Sequence, residues 1–453
     1  MKKHIKLFFC GLTLILMTIP STSAQEFIRE FYSLKDWKTI IREIQQDEWL
    51  LYRNYEDIRS TFCIVTPSGT SSPMLWFTEQ MSFRDFEILD GEYVYFCGMR
   101  VNDSTYLEPN DSWGVIRRRN ALFGYFKIDD ITNPPSGTPI PCYLMEEFAN
   151  VDLECLDKLE ILPVAEGIHL VMTGTTKSGQ GCIVDAAAPS YFPSGWDIYV
   201  DTSSTGEKFD DVAILDDYIV VTSRFPINYQ GFINYFPLPT SFSQSTINST
   251  LYRGELNYTV NDTLLVKHCK DNVFVTGSYS TQQGGIVISG YNFNVPIFSN
   301  TLQNITSLAP ELQLQDISYN RHSMTLDVLQ HIDYTGSPAS VIWHLDQTLG
   351  SSGILTNSHL YTNEILHSIV CQEYNPNYTI ASGEKTSFVR YYQFLLNYNL
   401  GCSETFKVPY IKFFHFLEGS VYSVREKTGH HAPEITPTSN PLWPVTKICL
   451  SIL

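Results

Sequence analysis

Four acidic doublets, Asp129-Asp130, Glu146-Glu147, Asp210-Asp211 and Asp216-Asp217, are the residues of this chain whose type and spacing first suggest chemistry. Two neighbouring carboxylates can serve a glycosidic bond as proton donor and as base or nucleophile. Asp is also a turn former, because its short side chain caps local backbone groups, and three of the four doublets fall where turns are expected. Turn structure is the preferred reading, so no catalytic residue is assigned. The carboxylates do not follow the DxDxDG spacing that sets oxygen ligands around calcium. His430-His431 is the histidine doublet, in a Pro-rich tail, while His268, His331, His344, His359 and His367 are scattered. No zinc spacing, GxSxG or HExxH is found, so neither a metal ligand nor a cofactor is assigned.

Binding is the other chemistry the residue types allow. The chain holds 27 Tyr, 27 Phe and 7 Trp, and aromatic faces stack on sugar rings and anchor protein interfaces. Most of these rings lie in strand-like runs such as 93–96 and 232–236, where packing is the default. Trp113, beside Asp111-Ser112, and Trp196, after Pro193-Ser194-Gly195, stand in polar surroundings and are the two candidate ligand contacts. A formal net charge of −18 repels phosphate backbones and excludes nucleic acid as the partner class.

The elements that must position such residues begin after a leader. Lys2, Lys3 and Lys6 precede an apolar run from Leu7 to Ile19, followed by Ser21-Thr22-Ser23-Ala24, the pattern of a signal peptide over residues 1–24. The run is shorter than the roughly 20 residues that cross a bilayer, and no later stretch is apolar enough to span one. An exported chain is the expectation: periplasmic, cell-surface or extracellular. Residues 25–60 form an N-terminal segment in which Ser33-Leu34-Lys35-Asp36 resembles a helix cap and Trp37, Ile40, Ile41 and Ile44 follow at helical spacing. A short amphipathic helix is expected at about 34–46.

Beyond it, one unit recurs. Asp85–Gly91 leads into Glu92–Gly98: a strand, an acidic turn and a second apolar strand ending in Gly. The pattern returns at Asp211–Asp217 with Tyr218–Ser223, at Leu159–Leu162 with Gly167–Gly174, and at Leu264–Lys267 with Asn272–Gly277. A third apolar stretch then opens on a small residue, as at Gly124, Gly181, Gly231 and Gly285, and Trp196–Val200 reads as a fourth, outer strand. Weaker copies carry Gly336 before Val341-Ile342-Trp343, and Gly383 before Phe388–Tyr392. Taking 98, 174, 223, 277, 336 and 383 as markers, the intervals are 76, 49, 54, 59 and 47 residues. Propeller blades repeat at ~40–50 residues. The expected fold is an all-β propeller of about seven four-stranded blades, with six or eight as alternatives, over residues 61–425, and an irregular tail over 426–453. Phe62–Val65 or Leu75–Phe77 is expected to close the ring against Tyr410–Phe414.

Cysteine adds little. Cys97 and others sit in apolar runs as small buried hydrophobes, and only Cys142 and Cys155 are spaced for a loop staple.

In its leader, its tyrosine-rich strands and its strand, Asp/Gly turn, strand and Thr-Gly units, the chain resembles uncharacterised secreted β-propeller proteins of Bacteroidetes. The resemblance implies an envelope or extracellular location and carries over no catalytic residue. The functional expectation is an exported scaffold binding a protein or glycan partner through loops at one end of the ring. The alternative is a secreted glycan-acting enzyme, a hydrolase or lyase, with carboxylates at the central channel.

Overall fold

Residues 37–45 are a strand, not the expected helix. Thr39, Ile40 and Ile41 are consecutive β-branched residues, and the segment pairs along its length with the next apolar run, from Trp37↔Tyr55 to Gln45↔Glu48. Asp47 turns the hairpin at φ 60, a left-handed conformation that Asp tolerates. Tertiary pairing decides here against local apolar spacing, which a strand buries as Ile41 and Ile44.

The structure, a computed structural model, describes the strands given below, the segment 128–133, and the turns at 46–47, 66, 90–92, 148–149, 151–152, 177–180, 206–207, 225, 238 and 264. The leader 1–24, the tail 426–453, Cys142, Asp216-Asp217 and His430-His431 lie outside the described residues.

Ile28–Glu30 (β1) comes first and pairs late in the chain. One sheet then holds Trp37–Gln45 (β2), Glu48–Tyr55 (β3), Arg59–Val65 (β4) and Leu75–Trp76 (β5). The second holds Met81–Leu89 (β6) and Tyr93–Val101 (β7). The hairpin Ser104–Leu107 (β8) and Trp113–Ile116 (β9) stands apart as its own two-stranded sheet. The chain returns in Arg119–Lys127 (β10), passes through a short helix at Ile128–Thr132 (α1), and completes the second sheet with Tyr143–Glu147 (β11).

The third comprises Leu153–Val164 (β12), Gly167–Thr176 (β13), Gly181–Ala187 (β14) and Trp196–Val200 (β15). The fourth comprises Lys208–Leu215 (β16), Tyr218–Arg224 (β17), Gln230–Pro237 (β18) and Tyr252–Thr259 (β19). Leu265–Cys269 (β20), Asn272–Ser278 (β21), Gln283–Asn292 (β22) and Val295–Thr306 (β23) make the fifth. Gln313–Asn320 (β24), Thr325–Tyr334 (β25), Ser337–Asp346 (β26) and Ile354–Thr362 (β27) make the sixth. The last contains Glu364–Cys371 (β28), Tyr378–Tyr391 (β29), Cys402–Leu417 (β30) and Ser420–Ser423 (β31), and β1 joins β30 on its far side.

The described residues thus divide into six four-stranded meanders, one five-stranded sheet and the β8–β9 hairpin, where the sequence suggested about seven four-stranded units. Consecutive sheets share apolar clusters. Leu50, Tyr52 and Phe62 of the first pack with Phe83, Phe86 and Phe126 of the second. The cycle ends where Ile380 of the last sheet packs with Ile41, Trp49 and Leu51 of the first. This face-to-face ring is a β-propeller. Its closure differs from the expectation: Ile28↔Lys412 and Glu30↔Tyr410 join the ends, while Phe62–Val65 and Leu75-Trp76 stay in the first sheet. Phe388–Tyr391 likewise continues β29 instead of starting a third strand. Cys155 is a free buried thiol, so the staple to Cys142 does not form; burial also pushes the Cys155 thiol well up from its usual range.

Candidate functional site: the central channel

The first strands of three sheets, the second, fourth and sixth, share one device. In β6 an extra residue breaks the ladder between Phe83 and Asp85; β16 does the same before Asp211 and β24 before Asp316. Each Asp then faces the ring axis and spends its two oxygens on main-chain N–H groups. Oδ1 accepts from its own following residue: Phe86, Val212 and Ile317, each at 2.9 Å. Oδ2 reaches the next sheet, accepting from Leu159 N–H (3.3 Å), Val266 N–H (2.9 Å) and Ile369 N–H (2.9 Å). Asp210 adds a parallel link, from Leu264 N–H at 3.1 Å. Ser368, in the corresponding place on β28, donates to Asp316 at 2.6 Å and accepts from Ile41 N–H at 3.4 Å. These carboxylates staple neighbouring sheets by satisfying amides along the edge that each first strand turns to the axis.

The bulge also explains the markers Gly98 and Gly174. Gly98 lies opposite Phe83, and a Cβ there would stand 2.1 Å from the Ser82 carbonyl oxygen; Gly174 meets the Cys155 oxygen at the same distance. The bulged carbonyl occupies the space a side chain needs.

Two positions beyond the staples, a second set of charges faces the axis. Arg42 of β2 binds Asp85 (2.8 Å) and Glu87 (3.1 Å), and Lys267 of β20 lies 3.7 Å from Glu160 of β12. Burial outweighs these cations: it pushes the Glu87 carboxyl up to about 7 and raises Glu160 as well. Asp211 is pushed up to about 6 by burial, against the pull of Lys158 and its two N–H donors.

Two adjoining cavities follow the axis. One, of about 340 Å³, lies among Glu87, Glu160, Lys267 and the apolar ends of the inner strands. The other, of about 630 Å³, opens where those strands begin, beside Lys38, Lys158 and Lys208. Both reach Arg42, Asp85, Lys158 and Asp316.

Of the acidic doublets, Asp210-Asp211 thus reaches the channel, within strand β16. Glu146-Glu147 is in strand β11, where Glu147 pairs with Arg100 at 2.9 Å, and Asp129-Asp130 sits in α1. None of these three doublets lies in a turn, where the sequence placed three of the four. His331 and His367 line the wider cavity with rings 6.0 Å apart, and His344 is buried against Asp327 at 2.7 Å.

Trp113 and Trp196 are not brought together. Trp113 opens β9 in the hairpin between the second and third strands of its sheet, pairing with Leu107. Trp196 opens the outermost strand of the next sheet, from the connection at the opposite end of the meander. It is half-buried, edge-on to Phe148 at 5.3 Å, and packs in the cluster between the second and third sheets. Arg42, Glu87, Lys158, Glu160 and Lys267 escaped the sequence reading. Their signal was the alternation of charge with apolar residues inside first strands, as in Lys158-Leu159-Glu160 and Asp85-Phe86-Glu87.

No helix among the described residues is long and apolar enough to cross a membrane. Fold and channel define the class: a β-propeller with a charged axial channel. No family model matches the chain, and no curated protein matches it. Among solved structures it is similar to the β-propeller domain of Cps50 (Swd1) from Myceliophteria thermophila, at 10% identity and TM-score 0.46 over 85% of this chain and 99% of that one. It is also similar to the propeller domain of the trilobed protease from Pyrococcus furiosus (10%, TM-score 0.41, 88% and 99%) and to Drosophila Semaphorin 2a (9%, TM-score 0.47, 78% and 73%).

Proposed function

We propose that this chain is an exported β-propeller scaffold that binds a protein or glycan partner at the end of the ring where the first strands begin. The β8–β9 hairpin carries the proposal. It is an extra sheet inserted in the β7–β10 connection, and in an antiparallel meander that connection lies at the end where the first strand starts. A rigid ring presenting an added hairpin at the end where its wider cavity opens is a scaffold displaying a recognition element. Lys2, Lys3 and Lys6 before the apolar run, with Ser21–Ala24 after it, support export, and the likeness to Bacteroidetes secreted propellers supports an envelope or extracellular site. The test is a glycan array and a panel of purified envelope proteins, probed with residues 25–453 and with a version whose 103–117 segment is replaced by a short Gly-Ser link. Binding should disappear with the hairpin while the urea unfolding midpoint stays put; binding that survives its removal overturns the proposal.

A second reading, a secreted glycan-acting enzyme, is favoured by one observation. Glu87 and Glu160 come from different sheets into one cavity, and burial leaves Glu87 able to hold a proton near neutral pH, as a proton donor needs. Release of reducing sugar that Glu87→Gln and Glu160→Gln both abolish would establish it. Absence of release across plant, bacterial and host polysaccharides would remove it.

A further inference from the structure

The wider cavity is lined by five basic side chains, Lys38, Arg42, Arg84, Lys158 and Lys208, and four acidic ones. All four carboxylates are committed. Asp85 and Asp316 accept main-chain N–H groups on both oxygens. Asp210 holds Arg224 at 2.9 Å and Leu264 N–H, and Asp157 accepts from the Cys155 thiol at 3.2 Å with Arg84 3.9 Å away. Arg42 is taken by Asp85 and Glu87.

Lys38, Lys158 and Lys208 remain, one each from β2, β12 and β16, and none makes an ion pair or side-chain hydrogen bond among the described residues. Three such ammonium groups around one opening are unexpected in a chain with 48 acidic and 30 basic residues. Lys38 and Lys208 are exposed at the rim, whereas Lys158 is half-buried in the channel, where its burial is offset by the charges of Asp211, Asp85 and Asp316, which raise it above the usual lysine range without a direct ion pair.

We infer that this mouth is a binding site for a small oxyanion-bearing ligand, a carboxylate or a phosphate, held by Lys38, Lys158 and Lys208. Its volume of about 630 Å³ suits a ligand of sugar size. Lysines act there as point charges, whereas a planar Arg fork would impose bidentate geometry. The inference deepens the reading of this ring end as the binding face. No described hairpin residue lines the cavity, so anion binding should survive hairpin removal, and partner binding that also survives it counts against the partner proposal alone.

The experiment is calorimetric titration of residues 25–453 with galacturonate, inorganic phosphate and neutral galactose at low ionic strength. Galacturonate or phosphate should bind and galactose should not; which of the two anions binds identifies a carboxylate or a phosphate source. The double variant Lys38→Ala/Lys208→Ala alters only exposed side chains and should weaken binding by at least about tenfold. Lys158→Gln should do the same, with its unfolding midpoint measured alongside to confirm a folded ring. Unchanged affinity in the double variant, equal binding of galactose, or no binding of either anion at about 10 mM overturns the inference.

Discussion

The two halves of the central channel hold the same residue types and use them differently. Where the first strands begin, Asp85, Asp211 and Asp316 accept main-chain N–H groups from adjacent sheets, and their charges act on the nearby Lys158 without a direct ion pair. Further along, Glu87 and Glu160 meet Arg42 and Lys267 side chain to side chain. A carboxylate tied to amides holds the ring. One whose partners are cations alone balances charge, and burial raises Glu87 and Glu160 as it raises Asp211. Counting acidic residues at the axis therefore says little about catalysis until each oxygen has been traced.

The sharpest way to break this contrast is Asp211→Ala. It strands Val212 N–H and Val266 N–H and removes a carboxylate near Lys158, so urea unfolding should show a loss of about 3–5 kcal/mol. Glu87→Gln, in the other half, should cost under about 1 kcal/mol, because a half-buried pair with an already raised carboxyl loses little. Comparable losses from the two would dissolve the contrast. Gly174→Ala comes next. Its Cβ would meet the Cys155 carbonyl at 2.1 Å, and about 3 kcal/mol is expected by the same measurement.

Trp196→Ala should lower stability by about 2 kcal/mol through lost packing on Phe148, while leaving partner binding intact. An array signal that falls without a stability change would restore Trp196 as a ligand contact.

A separate test concerns pH. Glu87 rises from an ordinary 4.5 to about 7 in the folded chain, and Asp211 from 3.8 to about 6. Between the ordinary and the raised values the native state keeps protons that the unfolded chain has released. The stabilisation is thus complete below about 4 and is lost as pH rises through 6 and 7. Unfolding midpoints should fall from pH 5 to pH 8, and Glu87→Gln should flatten that slope; a slope unchanged by the substitution contradicts the assignment.

Much of this was legible in the residues. The markers Gly98 and Gly174 were read as strand ends, and the bulged carbonyl opposite each is the reason Gly stands there. The acidic residue that opened two of the units, Asp85 and Asp211, is the staple itself. Illegible were the features that depend on distant partners. Residues 37–45 follow helical spacing yet pair with 48–55, and the ring closes through Ile28–Glu30, a segment too short to stand out. The lysine mouth is assembled from three sheets, and no local pattern marks Lys38, Lys158 and Lys208 as neighbours of one opening.

At the wider mouth, aspartates hold the ring and exposed lysines do not, and urea unfolding of Asp211→Ala beside Lys38→Ala/Lys208→Ala tests that division most directly. The account predicts an early midpoint for the first and an unchanged one for the second. A lysine variant that unfolds as early as the aspartate variant would show that both sets hold the ring, and would contradict it.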